Sequence, residues 1–108
     1  MSKTLKEYQE EIDHIVIVEQ RSGYWAPLSI LARITEEVGE VARLLNHLYG
    51  SKPKKDTEEK QELDEEIADV MYGLICLANS EQIDLDHAMQ KVLNKSRTRD
   101  IDRFRKSD

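Results

Sequence analysis

Apolar residues recur at every third or fourth position along nearly all of this 108-residue chain, and the pattern breaks in only three places. That spacing is the period of an α-helix with one apolar face. The breaks fall at Arg21–Ala26, at Gly50–Asp56 and just before Asp84. With only four Gly and two Pro in the whole chain, little else interrupts helix.

Four helices are therefore predicted. The first covers about Leu5 to Glu19, with Thr4 and Glu7 at capping-box spacing and Leu5, Tyr8, Ile12, Ile15 and Val16 on one face. The second opens with Pro27 in its first turn, carries Leu31, Ile34, Val38, Val41, Leu45 and Leu48 as its stripe, and ends at Gly50. Asp56 and Glu59 form a capping pair for the third, which runs to about Asn79 with Leu63, Ile67, Val70, Leu74 and Leu77 in line. Asp84 caps the fourth, whose Leu85, Ala88, Met89, Val92 and Leu93 are expected to face inward. The expected fold class is all-α: a four-helix, bundle-like unit forming one domain over residues 1–108, with a charged tail that frays after about Ile101.

Beyond Val70 the third helix is apolar almost all round, from Val70 to Ala78. Such a helix is covered on every side. A domain of this size buries only about two-thirds of the surface its unfolded chain exposes. A homo-oligomer, dimer or tetramer, is therefore expected.

A net charge of −6 argues against duplex nucleic acid or an anionic membrane as partner. A nucleotide remains possible, because a bound cation inverts the local field. The longest apolar stretch, Val70–Ala78, falls far short of the ~20 residues of a membrane span. Met1–Glu11 is polar where a signal peptide would be apolar. The single cysteine, Cys76, sits in the apolar run as a small buried hydrophobe, and a cytoplasmic setting is expected.

Most acidic residues, Glu10, Glu11, Glu58 and Glu59 among them, read as solvated helix face. Two pairs do not. At roughly 100° per residue, Glu37 falls at the edge of the second helix's stripe, between Ile30 and Leu44, and Glu40 lies just beyond it. Glu36 points nearly the opposite way. On the third helix Glu66 projects inside the arc of Leu63, Val70 and Leu77, with Asp69 and Gly73 on the same flank. Charges on a buried face are costly unless paired or bound to metal. Glu40 and Glu66 each lie roughly 14 Å from the turn between the helices, at 1.5 Å per residue. Folded antiparallel, the hairpin brings Glu40 opposite Glu66 and Glu37 opposite Asp69. Four converging carboxylates suit a hard divalent cation, Mg²⁺ first, with Mn²⁺ as a possible substitute. A di-iron bundle would need two Glu-x-x-His motifs. Glu11-Ile-Asp-His14 supplies one, and neither His47 nor His87 supplies a second. The three histidines read as surface or boundary residues.

Glu36-Glu37-Val-Gly-Glu40, followed after a hairpin by Glu66-Ile-Ala-Asp69, resembles the EExxE…ExxD signature of MazG-like nucleotide pyrophosphohydrolases. Trp25-Ala-Pro-Leu-Ser-Ile-Leu-Ala-Arg-Ile-Thr-Glu-Glu is similar to their short, single-domain YpjD-type branch. The resemblance spans about Leu5 to Arg103. It implies the all-α NTP pyrophosphatase fold, and hydrolysis of a (d)NTP to the monophosphate and pyrophosphate in nucleotide-pool house-cleaning. It also implies metal ligation by Glu37, Glu40, Glu66 and Asp69, which are the implied catalytic residues. Lys95-Ser-Arg-Thr-Arg99 resembles the Lys-x-x-x-Arg that relatives place against substrate phosphates; a solvated basic face is the alternative. Trp25 is implied near the base, or else packs as a lid. The chain departs from some relatives in having one domain rather than two, and in carrying Glu62 and Glu65 where they have a basic residue. A phosphoribosyl-ATP pyrophosphatase-like enzyme and a non-catalytic helical interaction protein are the alternatives to this reading.

Overall fold

Thr4 begins the first helix as the spacing requires. Its hydroxyl accepts from the Glu7 amide at 3.1 Å and the Glu7 carboxylate accepts from the Thr4 amide at 3.0 Å, closing the capping box. The computed structural model describes residues 2–50 and 56–105, leaving aside the side chains of 56–61 and 100–105. Helix α1 covers Leu5–Asp13 and passes directly into a π-helical segment, His14–Glu19. There the Gln20 amide donates to the Ile15 carbonyl at 2.8 Å, one residue further back than an α-helix allows. The predicted single helix over Leu5–Glu19 is thus an α-helix that widens. The wider turn keeps Ile12 and Val16 buried against Ile75 of α3, and leaves Ile17 and Val18 outside. Arg21 and Gly23 both take positive φ as the chain reverses.

Helix α2 covers Pro27–Tyr49, with proline in the first turn where a missing amide costs nothing, and it stops at Gly50. Helix α3 covers Asp56–Ser80 and α4 covers Leu85–Arg105, past Ile101. The basic turn and the Asp56–Glu59 cap lie outside the described residues and side chains. Gln82 ends α3 with φ of 58°. Its amide donates to Asn79 at 3.1 Å and the Ile83 amide donates to Ala78 at 2.8 Å, a Schellman arrangement in which glycine usually holds the left-handed position. Asp84 then caps α4, its carboxylate accepting from the His87 amide at 3.2 Å.

The antiparallel α2–α3 pair is the body of the molecule, and α1 lies on α3. The apolar row of α2 that meets α3 is Ile30, Ile34, Leu44 and Leu48, with Leu44 at 0% exposure. It is not centred on Leu31, Val38 and Leu45, which are exposed. Two apolar rows run side by side on α2, and only one has a partner within the chain. Helix α4 departs from the expected bundle: its chief contact is with α1, and Met89, Val92 and Leu93 stay exposed rather than facing inward. The radius of gyration is 17.5 Å, against about 13 Å for a compact chain of this length. Among the described residues every regular element is a helix.

Candidate active site

The rotation of the α2 stripe decides where Glu37 stands. Ile30, Ile34, Leu44 and Leu48 are buried along one row, and Glu37 occupies a turn within that row; its side chain is 12% exposed. Across from it, Glu66 and Asp69 come from successive turns of α3. Each of Glu37, Glu66 and Asp69 offers a carboxylate oxygen, and these oxygens all lie within 4.8 Å of one another. No histidine belongs to the group, which leaves the di-iron alternative without support among the described residues. Close approach of the helices helps: Gly73, one turn past Asp69, lies so near Ile34 that a Cβ there would sit 2.8 Å from Cγ1 of Ile34.

Glu66 is the most constrained member. Its Oε2 is enclosed and has no hydrogen-bond partner. Its pKa is raised above 4.5, first by desolvation, then by the charges of Asp69, Glu37 and Glu40, with Arg43 opposing. A carboxylate left orphaned beside two others fits a hard divalent cation, which would supply the missing partner and offset the repulsion. Glu40 stands apart from the group of three. Its carboxylate accepts from Arg43 Nε at 3.0 Å, and it acts on Glu66 through charge. Glu36 is 69% exposed and pairs with Arg33.

Two of the carboxylates, Glu37 and Asp69, line a cavity of about 420 Å³, within the size range of small-ligand pockets. Glu37 and Asp69 lie at one side; Trp25, Tyr24, Tyr72 and Ile30 are among the other walls. Trp25 is 59% exposed, so it lines the opening rather than filling a core. Tyr24 is fixed from behind. Its hydroxyl donates to Asp13 at 2.7 Å and accepts from Asn79 Nδ2 at 2.9 Å. Burial first, then the bond to Asp13, pushes its pKa up to about 12. Asn79 in turn is held by buried Gln9, whose Nε2 donates to Asn79 Oδ1 at 2.9 Å and to the Ile83 carbonyl at 2.8 Å. Cys76 also lines the cavity, and burial pushes the pKa of its thiol up. Lys95 and Arg99 are exposed on α4 and do not line the cavity.

Sequence reasoning passed over Arg33, the only basic residue in the cavity wall among the described residues. Its spacing to Glu36 and Glu37, i+3 and i+4 along a helix, was a signal available in the sequence. Tyr24 and Tyr72 carried no such signal.

An all-helical hairpin with an acidic cluster beside an aromatic cavity matches a known class. The model of the MazG nucleotide pyrophosphohydrolase domain matches residues 26–104, and the chain belongs to that family. It is therefore a hydrolase of nucleotide pyrophosphate bonds rather than a non-catalytic interaction protein. Among its relatives, the Bacillus subtilis (strain 168) protein YpjD is 48% identical over 106 residues, covering 98% of this chain and 95% of that protein. The crystal structure of Bacillus subtilis YpjD, described there as a candidate pyrophosphatase, superposes with a TM-score of 0.78 over 88% of this chain and 96% of that one. A Bacillus-conserved MazG protein, a nucleotide pyrophosphohydrolase, is 42% identical with a TM-score of 0.71 over 87% and 89% of the two chains.

Proposed function

We propose that this enzyme hydrolyses nucleoside triphosphates, ribo or deoxy, to the monophosphate and pyrophosphate, as part of nucleotide-pool house-cleaning in the cytoplasm. We assign Glu37, Glu66 and Asp69, with Glu40 as a fourth carboxylate, to binding Mg²⁺, for which Mn²⁺ can substitute. The observation that carries this reading is the partnerless Glu66 oxygen, held beside Glu37 and Asp69, two carboxylates that line a cavity of about 420 Å³.

Glu37, Glu66 and Asp69 would hold the divalent cation, which would supply charge neutralisation at the phosphates and Lewis-acid activation of water. The chain's own residues do the rest. Trp25 and Tyr24 offer flat apolar faces to a base. Glu37 and Asp69 in the cavity wall, with Glu66 beside them, mark where the triphosphate belongs. Glu40 adds charge there, and as a ligand it would have to leave Arg43. Lys95 and Arg99 are suited to charge-assisted hydrogen bonds with phosphate, which requires α4 to be brought to a cavity.

A homo-oligomer can do that. Met71, Tyr72 and Leu74, within the apolar run of α3, are exposed in the single chain, as are Leu28, Leu31, Val38 and Tyr49 on α2. Large apolar side chains exposed in such number on two helices suit an interface.

The test is pyrophosphate release over a panel of NTPs, dNTPs and phosphoribosyl-ATP with Mg²⁺. Turnover of several triphosphates, abolished by EDTA, is expected. Turnover of phosphoribosyl-ATP alone reassigns the substrate, and activity surviving excess EDTA overturns the metal centre.

A further inference from the structure

We infer that Arg33 is a positioning residue, bracing Glu37 for the metal through a fork whose other arm is anchored by Glu36. The inference rests on the metal-centre reading above and extends it to residues that touch no metal. Arg33 Nη2 lies 2.9 Å from Glu37 Oε1, and Arg33 Nη1 lies 3.2 Å from Glu36 Oε2. The two arms of one planar guanidinium thus engage two adjacent carboxylates on the next turn of the same helix.

The two carboxylates differ in what surrounds them. Glu37 is nearly enclosed and shares its space with Glu66 and Asp69; Glu36 is out in solvent. A long carboxylate side chain among like charges tends to swing away from them. Arg33 opposes that by placing its positive charge 2.9 Å from one oxygen of the Glu37 carboxylate, which leaves lone-pair sites on that carboxylate for a cation. Glu36 accepts from the second arm of Arg33 at 3.2 Å, which biases the guanidinium toward this position. This gives Glu36 a function beside a metal centre it does not face. Groups that orient a metal ligand typically change metal affinity by 10–100-fold when altered.

Arg33→Lys is the discriminating change, because it keeps the charge and loses the fork: one ammonium cannot reproduce a planar two-armed contact. Arg33 is 57% exposed, so the fold should survive, checked by circular dichroism and thermal melting. Mn²⁺ binding is measured by titration calorimetry on the full chain without nucleotide. We expect Arg33→Lys to weaken Mn²⁺ binding by roughly tenfold. Glu36→Gln should weaken it less, since an amide oxygen still accepts from Arg33. The double variant should bind no more weakly than Arg33→Lys alone, because both changes break one brace. At saturating Mn²⁺, kcat should fall while the nucleotide KM stays near wild type. Wild-type Mn²⁺ affinity in Arg33→Lys overturns the inference, and a raised KM in that variant would place Arg33 on the substrate instead. Absence of Mn²⁺ binding by the wild-type chain is a different failure, since it removes the metal centre itself.

Discussion

At the scale of single residues, Glu66 links catalysis to stability. Its pKa is raised by desolvation and by Asp69, Glu37 and Glu40. An acid that holds its proton more tightly in the folded chain than in the unfolded one destabilises the fold as pH rises through the raised value. In EDTA, Glu66→Gln should therefore melt above wild type near neutral pH, and the gap should close at acid pH as the wild-type carboxyl takes up its proton. A wild type that melts as high as the variant at neutral pH would contradict this. In activity the order reverses. With Mg²⁺, neutral isosteres of Glu37, Glu66 or Asp69 should each lower turnover by at least about a hundredfold, because a misplaced ligand misplaces the water and the phosphate together. Helicity should be unchanged, and retained turnover in all three would remove them from the site. Gln82, with its φ of 58°, gives a test away from the chemistry. Gln82→Gly should raise stability by about 1 kcal/mol, since glycine takes the left-handed position without strain; denaturant melts measure it.

At the scale of elements, the two glycines of the hairpin make opposite predictions. A methyl at Gly73 would meet Ile34 at 2.8 Å, whereas nothing lies within 4 Å of one at Gly39. Gly73→Ala should part α2 from α3, cost about 1–3 kcal/mol, and lower activity because Glu37 and Asp69 ride on the separated helices. Gly39→Ala should gain up to about 1 kcal/mol from helix propensity. Thermal melts of the pair, with pyrophosphate-release rates, check both outcomes. How much of this could be read from the sequence varies from element to element. Thr4 and Glu7 announce α1 because a cap is a local bond between near neighbours. The existence of α2 and the place of its ends follow from Pro27 and Gly50. The buried face of α2 does not. Leu31, Val38 and Leu45 look as good a stripe as Ile30, Ile34 and Leu44, and only the approach of α3 chooses between them. That choice moves Glu37 from the edge of the apolar face into its row. The π-helical turn was hidden for the same reason: no residue in His14–Glu19 demands it, and its widening answers to the packing of Val16 on α3.

At the scale of the whole molecule, the apolar face of α4 was plain in the sequence while its partner was not, because helical periodicity names no partner. Met89, Val92 and Leu93 are exposed, and so are Met71 and Leu74 on α3. Sedimentation equilibrium at micromolar concentration should give a mass that is a multiple of 12.6 kDa, and a single 12.6 kDa species would refute the oligomer. The direction in which α4 leaves the body is set where its first turn meets α1. Gln9 Oε1 accepts from the Leu85 amide at 3.1 Å, while its Nε2 holds Asn79 and Ile83. From that pivot, 21 residues of helix at 1.5 Å each form a lever roughly 30 Å long. A tilt of roughly 10° at the joint would swing the far end through roughly 5 Å by this length. The reach of Lys95 and Arg99 is thus governed from α1, where Gln9 holds the Leu85 amide and the Lys6 amide donates to Asp86, both far from the two basic residues.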